Sequence, residues 1–396
     1  MTSSGFSATS LRQMHDIMNG YVERGEVPGI VTLVARGAEL HVDAVGAKTI
    51  GGDPIQRDTI FRLASITKPV TAVAAMILVE ECKLRLDEPL DALLPELANM
   101  QVVRDLTGPV EDTEPMKRSI TLRDLLTFRL GTGMMFGAPG QFPIVDLIGQ
   151  TFLAPGPPKP SSLPSPDEYM RGLASLPLMY QPGERWLYNT GAEVLSVLIA
   201  RASGQPFGQF LEERIFEPLG MLDTGFVVPD DKLSRLSTLY LTNPEDNGLI
   251  HFDGVEDSEW RSTPAFPNGA AGLVSTADDF FAFASMLLNG GTHGNRRILS
   301  RPSVELMTTN QLTPEQSAFT GDPDFGWGFG VSVVTKRTGL ASIGRYGWDG
   351  GFGTSWFNDP REGLTAILLT QASWTSPNPP KVCLDFWTRA YASLDD

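Results

Sequence analysis

Cysteine and histidine are scarce in this chain. Its 396 residues contain two cysteines, Cys82 and Cys383, and four histidines. Two thiols so far apart form neither a disulfide framework nor a zinc pattern. Both fall in segments that read as helices, so buried free thiols are expected. His15, His41, His251 and His293 have no catalytic-looking neighbours, and the chain lacks both H-E-x-x-H and G-x-S-x-G. These absences argue against metal-assisted hydrolysis and against a Ser–His–Asp triad. No metal and no cofactor is expected. Long apolar runs are missing as well: none approaches the ~18 residues needed to cross a membrane. The stretch MTSSGFSATSLRQMHD has neither the basic segment nor the apolar core of a signal peptide. Positive charge is in deficit, with 31 Lys and Arg against 47 Asp and Glu and a net charge of −16. That balance speaks against nucleic acid or an anionic membrane surface as partner. A cytoplasmic enzyme acting on a small molecule is the simplest expectation, with a homo-oligomer left open.

What the chain does have is one stretch around which the rest is organised, FRLASITKPV at 61–70. It contains Ser65-x-x-Lys68, the one S-x-x-K in the sequence. On a helix, i and i+3 share a face, so the spacing sets a hydroxyl beside an amine. A serine hydroxyl needs an adjacent base before it is a good nucleophile. A lysine in apolar surroundings has its pKa pushed down towards the range where it can be that base. Ser65 is expected to open a helix, where the N-terminal partial charge and free N–H groups favour a developing alkoxide. Val70, Val73, Ala74, Ile77 and Leu78 follow helical spacing, and Ala72, Ala75, Met76 and Val79 make the other faces apolar too. A helix apolar all round belongs inside a large protein. An S-x-x-K by itself is a weak signal; its place at the mouth of the most apolar helix strengthens it.

Along the chain, 10–24 reads as an amphipathic helix, and 29–36 and 40–46 as a hairpin. Residues 120–126 start a helix with Thr121 as cap and Asp124 three residues on. Gly- and Pro-rich stretches at 131–140 and 154–166 read as ordered loops or a flap. Further helices are expected over 166–176, 190–202 and 276–288, strands over 328–334, 342–346, 352–357 and 364–370, and a closing helix over 382–394. Strands early, helices in the middle and strands late predict an α+β fold with one sheet built from both ends. The sheet part would comprise residues 1–85 and 226–396, the helical part 86–225, with the active site in the cleft between them.

Two further constellations carry chemistry. In QPGERWLYNTG at 181–191, Tyr188 follows a Pro-Gly turn at a helix start. Near a cationic amine its phenol pKa is expected to fall, so that it shares the base role with Lys68. In YGWDGGFGTSW at 346–356, several glycines let backbone approach a substrate closely. The N–H groups of Gly351 and Ser65 are the expected oxyanion hole. Standing alone, Tyr188 reads as a packed aromatic and the glycines as a hairpin turn.

Together with AGLVSTADD at 271–279, these motifs resemble the class C β-lactamase superfamily over nearly the whole chain. Within it, the chain is most similar to the serine carboxylesterases with a β-lactamase fold, often called family VIII esterases. The resemblance implies an antiparallel sheet flanked by helices plus a helical domain. It also implies acylation of Ser65, with Lys68 and Tyr188 as bases, and then deacylation by water or an alcohol. Three departures bear on the substrate. The Y-x-N asparagine of the family is Thr190 here. Its K-T-G is matched by Trp348-Asp349-Gly350. The L-L-T-H-T-S-G-L stretch carries Phe128 where the histidine stands. Lys336-Arg337-Thr338-Gly339 is spaced wrongly for K-T-G and reads as a turn between strands. A tryptophan suits an uncharged group, and Asp349 would repel a carboxylate, so both favour esters over β-lactams. Trp348, Asp349, Gly350, Thr190 and Phe128 are the expected substrate contacts. The leading expectation is an esterase for small to medium acyl groups. The alternatives are an acyltransferase to a bulky alcohol or amine, a β-lactamase or D-amino-acid peptidase, and a non-catalytic binding protein with this fold.

Overall fold

The computed structural model describes residues 5–318 and 324–395. Residues 1–4, 319–323 and 396, which the expectations on a leader and on the sheet part include, lie outside the described residues. Seven strands form the main sheet: β1 (Gly29–Arg36), β2 (Glu39–Gly46), β3 (Phe325–Trp327), β4 (Ser332–Val334), β5 (Tyr346–Gly350), β6 (Thr354–Asp359) and β7 (Leu364–Thr370). Their spatial order is β3-β4-β5-β6-β7-β1-β2, antiparallel throughout. The sheet is thus made from the two ends of the chain, joined where β7 pairs with β1.

Alternation along these strands sorts side chains to two faces. Ile30, Val34, Ala366 and Leu368 face two helices, α1 (Ala8–Glu23) and α6 (Lys381–Ala392), through Met14, Met18, Tyr21 and Phe386. Val31, Leu33, Ile367, Leu369 and Trp356 face the opposite way, into the larger core. That core holds α2 (Thr67–Glu80), α4 (Thr190–Ser203) and α5 (Ala277–Leu288). Every residue from Thr67 to Leu78 is buried, which is why α2 is apolar on all sides. Truncating one of its larger side chains, such as Ile77 to alanine, costs about 2–5 kcal/mol. The short helix α3 (Leu122–Leu126) has the expected reciprocal cap, with Thr121 Oγ1 accepting from Asp124 N and Asp124 Oδ2 from Thr121 N.

Several local expectations need correction. Residues 328–334 do not form one strand. The chain turns at Gly328–Val331, with Gly330 at φ +73°, and β3 and β4 pair as a hairpin. Residues 342–345 are a turn, and β5 begins only at Tyr346. Cys82 is exposed and stands past the last turn of α2 at φ +58°, whereas Cys383 is buried in α6. Ser65 does not open the α-helix. It lies in a single 3-10 turn, Ala64–Ile66, that leads into α2. Among the described residues no helix is long and apolar enough to cross a membrane, and no cluster of His, Cys, Asp or Glu could hold a metal ion.

Candidate active site

Ser65 is positioned by strain and by packing. The preceding residue, Ala64, is non-glycine yet adopts φ +48°, in the left-handed region that L side chains rarely occupy. Such backbone persists only when the surroundings over-determine it. Here they do. Leu63 O accepts a hydrogen bond from Thr354 Oγ1 at 2.7 Å, tying the turn to β6. Gly350 at the end of β5 lies so close to Leu63 O that a Cβ would collide with it.

One turn on, Lys68 is 1% exposed and among the largest fully buried side chains. Its Nζ donates to Ser65 Oγ at 2.9 Å and to Ala270 O at 2.8 Å. It also sits 4.5 Å from the centre of the Tyr188 ring. Burial disfavours the ammonium and lowers the Lys68 pKa to about 7, with the Glu193 carboxylate pulling the other way. The amine is therefore neutral in a large fraction of molecules at neutral pH and able to accept the Ser65 proton.

Tyr188 lies beside the same serine, and the interaction with Ser65 favours its ionised form. The next residue, Asn189, has φ +85° and ψ −64°, and Thr190 N bonds Tyr188 O at 3.3 Å. This tight three-residue turn fixes the tyrosine at the start of α4. The expected fall of its pKa does not occur. Burial is the largest influence and raises it, outweighing the lowering effect of Ser65 and of the hydrogen bond from Trp348. The amine lies over the ring face, where it contacts the π-system. Tyr188 therefore stays a protonated phenol.

Trp348 on β5 lines the same cavity and does more than present apolar surface. Its indole Nε1 donates to Tyr188 OH at 2.6 Å. Ring contacts surround the pair, with Trp327 at 4.7 Å from Trp348 and Phe128 at 5.6 Å from Tyr188. Phe128 itself is 1% exposed at φ +54° and is absent from the cavity wall. It supports Tyr188 from behind, which corrects its expected role as a substrate contact. Gly350 likewise forms no part of the wall, because its backbone is pressed against Leu63.

Asp349 stands in the cavity wall as expected but does not point at the nucleophile. Neighbours on a strand point to opposite faces, so with Trp348 towards Tyr188 the Asp349 side chain turns towards α6. There it meets Ser355 and the Arg345 charge, and burial raises its pKa to about 6. It is no guard at the nucleophile. Ser65, Tyr188, Thr190, Trp348, Asp349 and Gly351 do line one cavity of about 1560 Å³, with Asp349 on the part that runs towards α6 beside Arg345 and Trp387. Gly351 O accepts from Trp374 N at 2.8 Å, which holds that turn beside Ser65. The cavity continues between apolar side chains of the 131–166 stretch, including Met134, Phe136, Phe152 and Leu153.

Three parts of the site were not read from the sequence: the Ala270 carbonyl on Lys68, the indole donor on Tyr188, and Glu193 in the cavity wall. Strand alternation alone was signal enough to separate Trp348 from Asp349.

A model of the family described as Beta-lactamase matches residues 14–381. The chain belongs to the beta-lactamase family. Among its relatives, Protein Rv1367c of Mycobacterium tuberculosis is 39% identical over 362 residues, covering 88% of this chain and 87% of that protein. Esterase EstB of Burkholderia gladioli is 30% identical over 404 residues, covering 96% and 95%. The solved structure of EstCE1, described as a hydrolase with promiscuous acyltransferase activity, has a TM-score of 0.79 and 26% identity, covering 97% of this chain and 98% of that one. The fold is thus the β-lactamase/transpeptidase-like α+β fold, and the chain is a member of a serine-hydrolase family with esterase and acyltransferase relatives.

Proposed function

We propose that this protein is a carboxylesterase that hydrolyses esters of small to medium acyl groups through an acyl-Ser65 intermediate. The observation that carries the reading is the buried Lys68 amine, 2.9 Å from Ser65 Oγ, with its proton affinity lowered to the neutral range. Neutral Lys68 takes the hydroxyl proton as Ser65 Oγ bonds to the acyl carbon. The carbonyl electrons move to oxygen, which the N–H groups of Ser65 and Gly351 hold. The bond to the alcohol then breaks, and Tyr188 gives the leaving oxygen its proton. A phenol whose pKa is raised suits a donor better than a base. The ammonium of Lys68 returns a proton to Tyr188. Water repeats the sequence on the acyl carbon and frees the acid and Ser65. Trp348 and Thr190 contribute an uncharged wall, which suits an ester. In this reading the cavity lies between the sheet part, 1–85 and 226–396, and the helical part, 86–225.

A second reading, acyl transfer to a bulky alcohol or amine, draws support from the cavity. About 1560 Å³ exceeds what a small ester fills, and its apolar extension along 131–166 leaves room for an acceptor. The test is turnover of p-nitrophenyl butyrate and of a chromogenic cephalosporin by wild type and Ser65→Ala, with mass spectrometry of the protein. Ester turnover lost by about a thousandfold or more in the variant, with little cephalosporin turnover, supports the esterase. Acylated Ser65 without turnover supports the transferase. The absence of both turnover and acylation overturns both readings.

A further inference from the structure

Glu193 is half-buried in the first turn of α4, outside the Ser-Lys-Tyr group. Its two oxygens are fixed from different elements. Tyr169 OH, on the helix Pro166–Ala174, donates to Oε2 at 2.5 Å. Asn268 Nδ2 donates to Oε1 at 3.3 Å. The amide of Asn268 is oriented in turn, because its Oδ1 accepts from Ala270 N at 2.7 Å. That contact closes an Asx turn and aims the Ala270 carbonyl at Lys68 Nζ, 2.8 Å away. The intervening Gly269 is held on both sides, its N–H donating to Ser196 Oγ at 2.8 Å and its carbonyl accepting from Thr71 Oγ1 at 2.7 Å. A Cβ on Gly269 would strike both of those hydroxyls, so the loop fits at this position only as glycine. The result is one hydrogen-bonded chain: Glu193, Asn268, Ala270, Lys68, Ser65.

We infer that Glu193 is a positioning residue that sets the orientation and proton affinity of the Lys68 base through Asn268 and Ala270. This rests on the reading of Ser65 and Lys68 proposed above. Two physical effects run along the chain. Asn268 can hold Ala270 in place only while its amide is anchored, and Glu193 is one anchor. The carboxylate also contributes a negative charge that stabilises the Lys68 ammonium against burial. The other groups around Lys68 are Ser65 and Tyr188. Trp348 carries no charge, and Asp349 faces α6 on the far side of β5. Glu193 is therefore the anion at hand to offset the desolvation of the amine. Without it the amine would be a weaker base, less able to take the serine proton.

The test is the pH profile of kcat/KM for p-nitrophenyl butyrate with wild type, Glu193→Gln and Glu193→Asp, alongside Ser65→Ala. Glutamine keeps the acceptor for Asn268 and loses the charge. Its acid limb is expected to move to lower pH by more than the fitting error, with a reduced plateau. Aspartate keeps the charge and is expected to restore the limb towards the wild-type position. A limb for Glu193→Gln that coincides with wild type overturns the inference, and so does one that Glu193→Asp shifts equally. Should Glu193→Gln fold poorly by circular dichroism, Glu193→Asp with an unmoved limb and Asn268→Ala with a reduced plateau support the inference, and any other pattern in that pair overturns it. Activity surviving in Ser65→Ala instead sinks the reading of the nucleophile itself, which separates the two failures.

Discussion

Replacing Trp348 by phenylalanine isolates one hydrogen bond of the proposed mechanism. The substitution keeps an aromatic ring against Trp327 and Phe325, whose centres lie 4.7 and 6.2 Å away, and removes the indole N–H that donates to Tyr188 OH at 2.6 Å. A neutral hydrogen bond of this kind is worth about 1 kcal/mol, with a range of about 0.5–1.5. If the bond strengthens by about 1 kcal/mol as Tyr188 passes its proton and its oxygen gains negative charge, kcat/KM for p-nitrophenyl butyrate falls about fivefold in the variant, since each 1.36 kcal/mol is tenfold. The indole acts only through the phenol, so a double-mutant cycle decides the matter. In a Tyr188→Phe background, Trp348→Phe should lower the remaining activity by less than about twofold. A full fivefold loss in that background would mean that Trp348 touches substrate directly. No loss in the wild-type background would mean that the bond has no part in the reaction.

The other predictions concern charge. Because burial lowers the Lys68 pKa to about 7, the wild-type kcat/KM should rise with pH and level off above pH 7, where the amine is neutral; a limb below pH 5 would remove Lys68 as the base. Asp349 behaves in the opposite sense for stability. Its folded pKa, about 6, stands above the ordinary aspartate value of 3.8, so its contribution is fully present below about pH 4 and is lost as pH rises through 6. Asp349→Asn should therefore be more stable than wild type at pH 8, by up to about 3 kcal/mol, and the gain should vanish near pH 4 in urea unfolding. An equal gain at both pH values would show that burial of the charge is not the cause.

The nucleophile and its helix were legible because both signals are local. Ser65 and Lys68 sit one turn apart, and the buried run of α2 announces itself by composition. The strands at 29–36 and 364–370 were likewise found to the residue, since both are buried end to end. What the sequence hid is what tertiary contact creates. Phe128 and Ala64 occupy left-handed backbone although neither is glycine, and only packing enforces that. The pKa of Tyr188 depends on how deeply its phenol is buried, which no spacing reveals. Residues 193, 268 and 270 share one hydrogen-bonded chain with Lys68 although α4 and the 268–272 loop meet only after folding. Asp349 is a different case: its direction followed from the two-residue period of a strand, and its acidity drew attention to the wrong face.

The order of strands has a consequence for synthesis on the ribosome. The nucleophile and its base are translated well before β5, β6 and β7, which pin the nucleophile turn, complete the sheet and come from 346–370. The strand β1 is made long before its partner β7. Until then α2, apolar on every side, lacks much of the core that covers it. A nascent chain halted before residue 346 should thus expose a sticky helix and carry an inert serine, making the growing polypeptide a client for chaperones and unreactive towards esters until its last strands emerge.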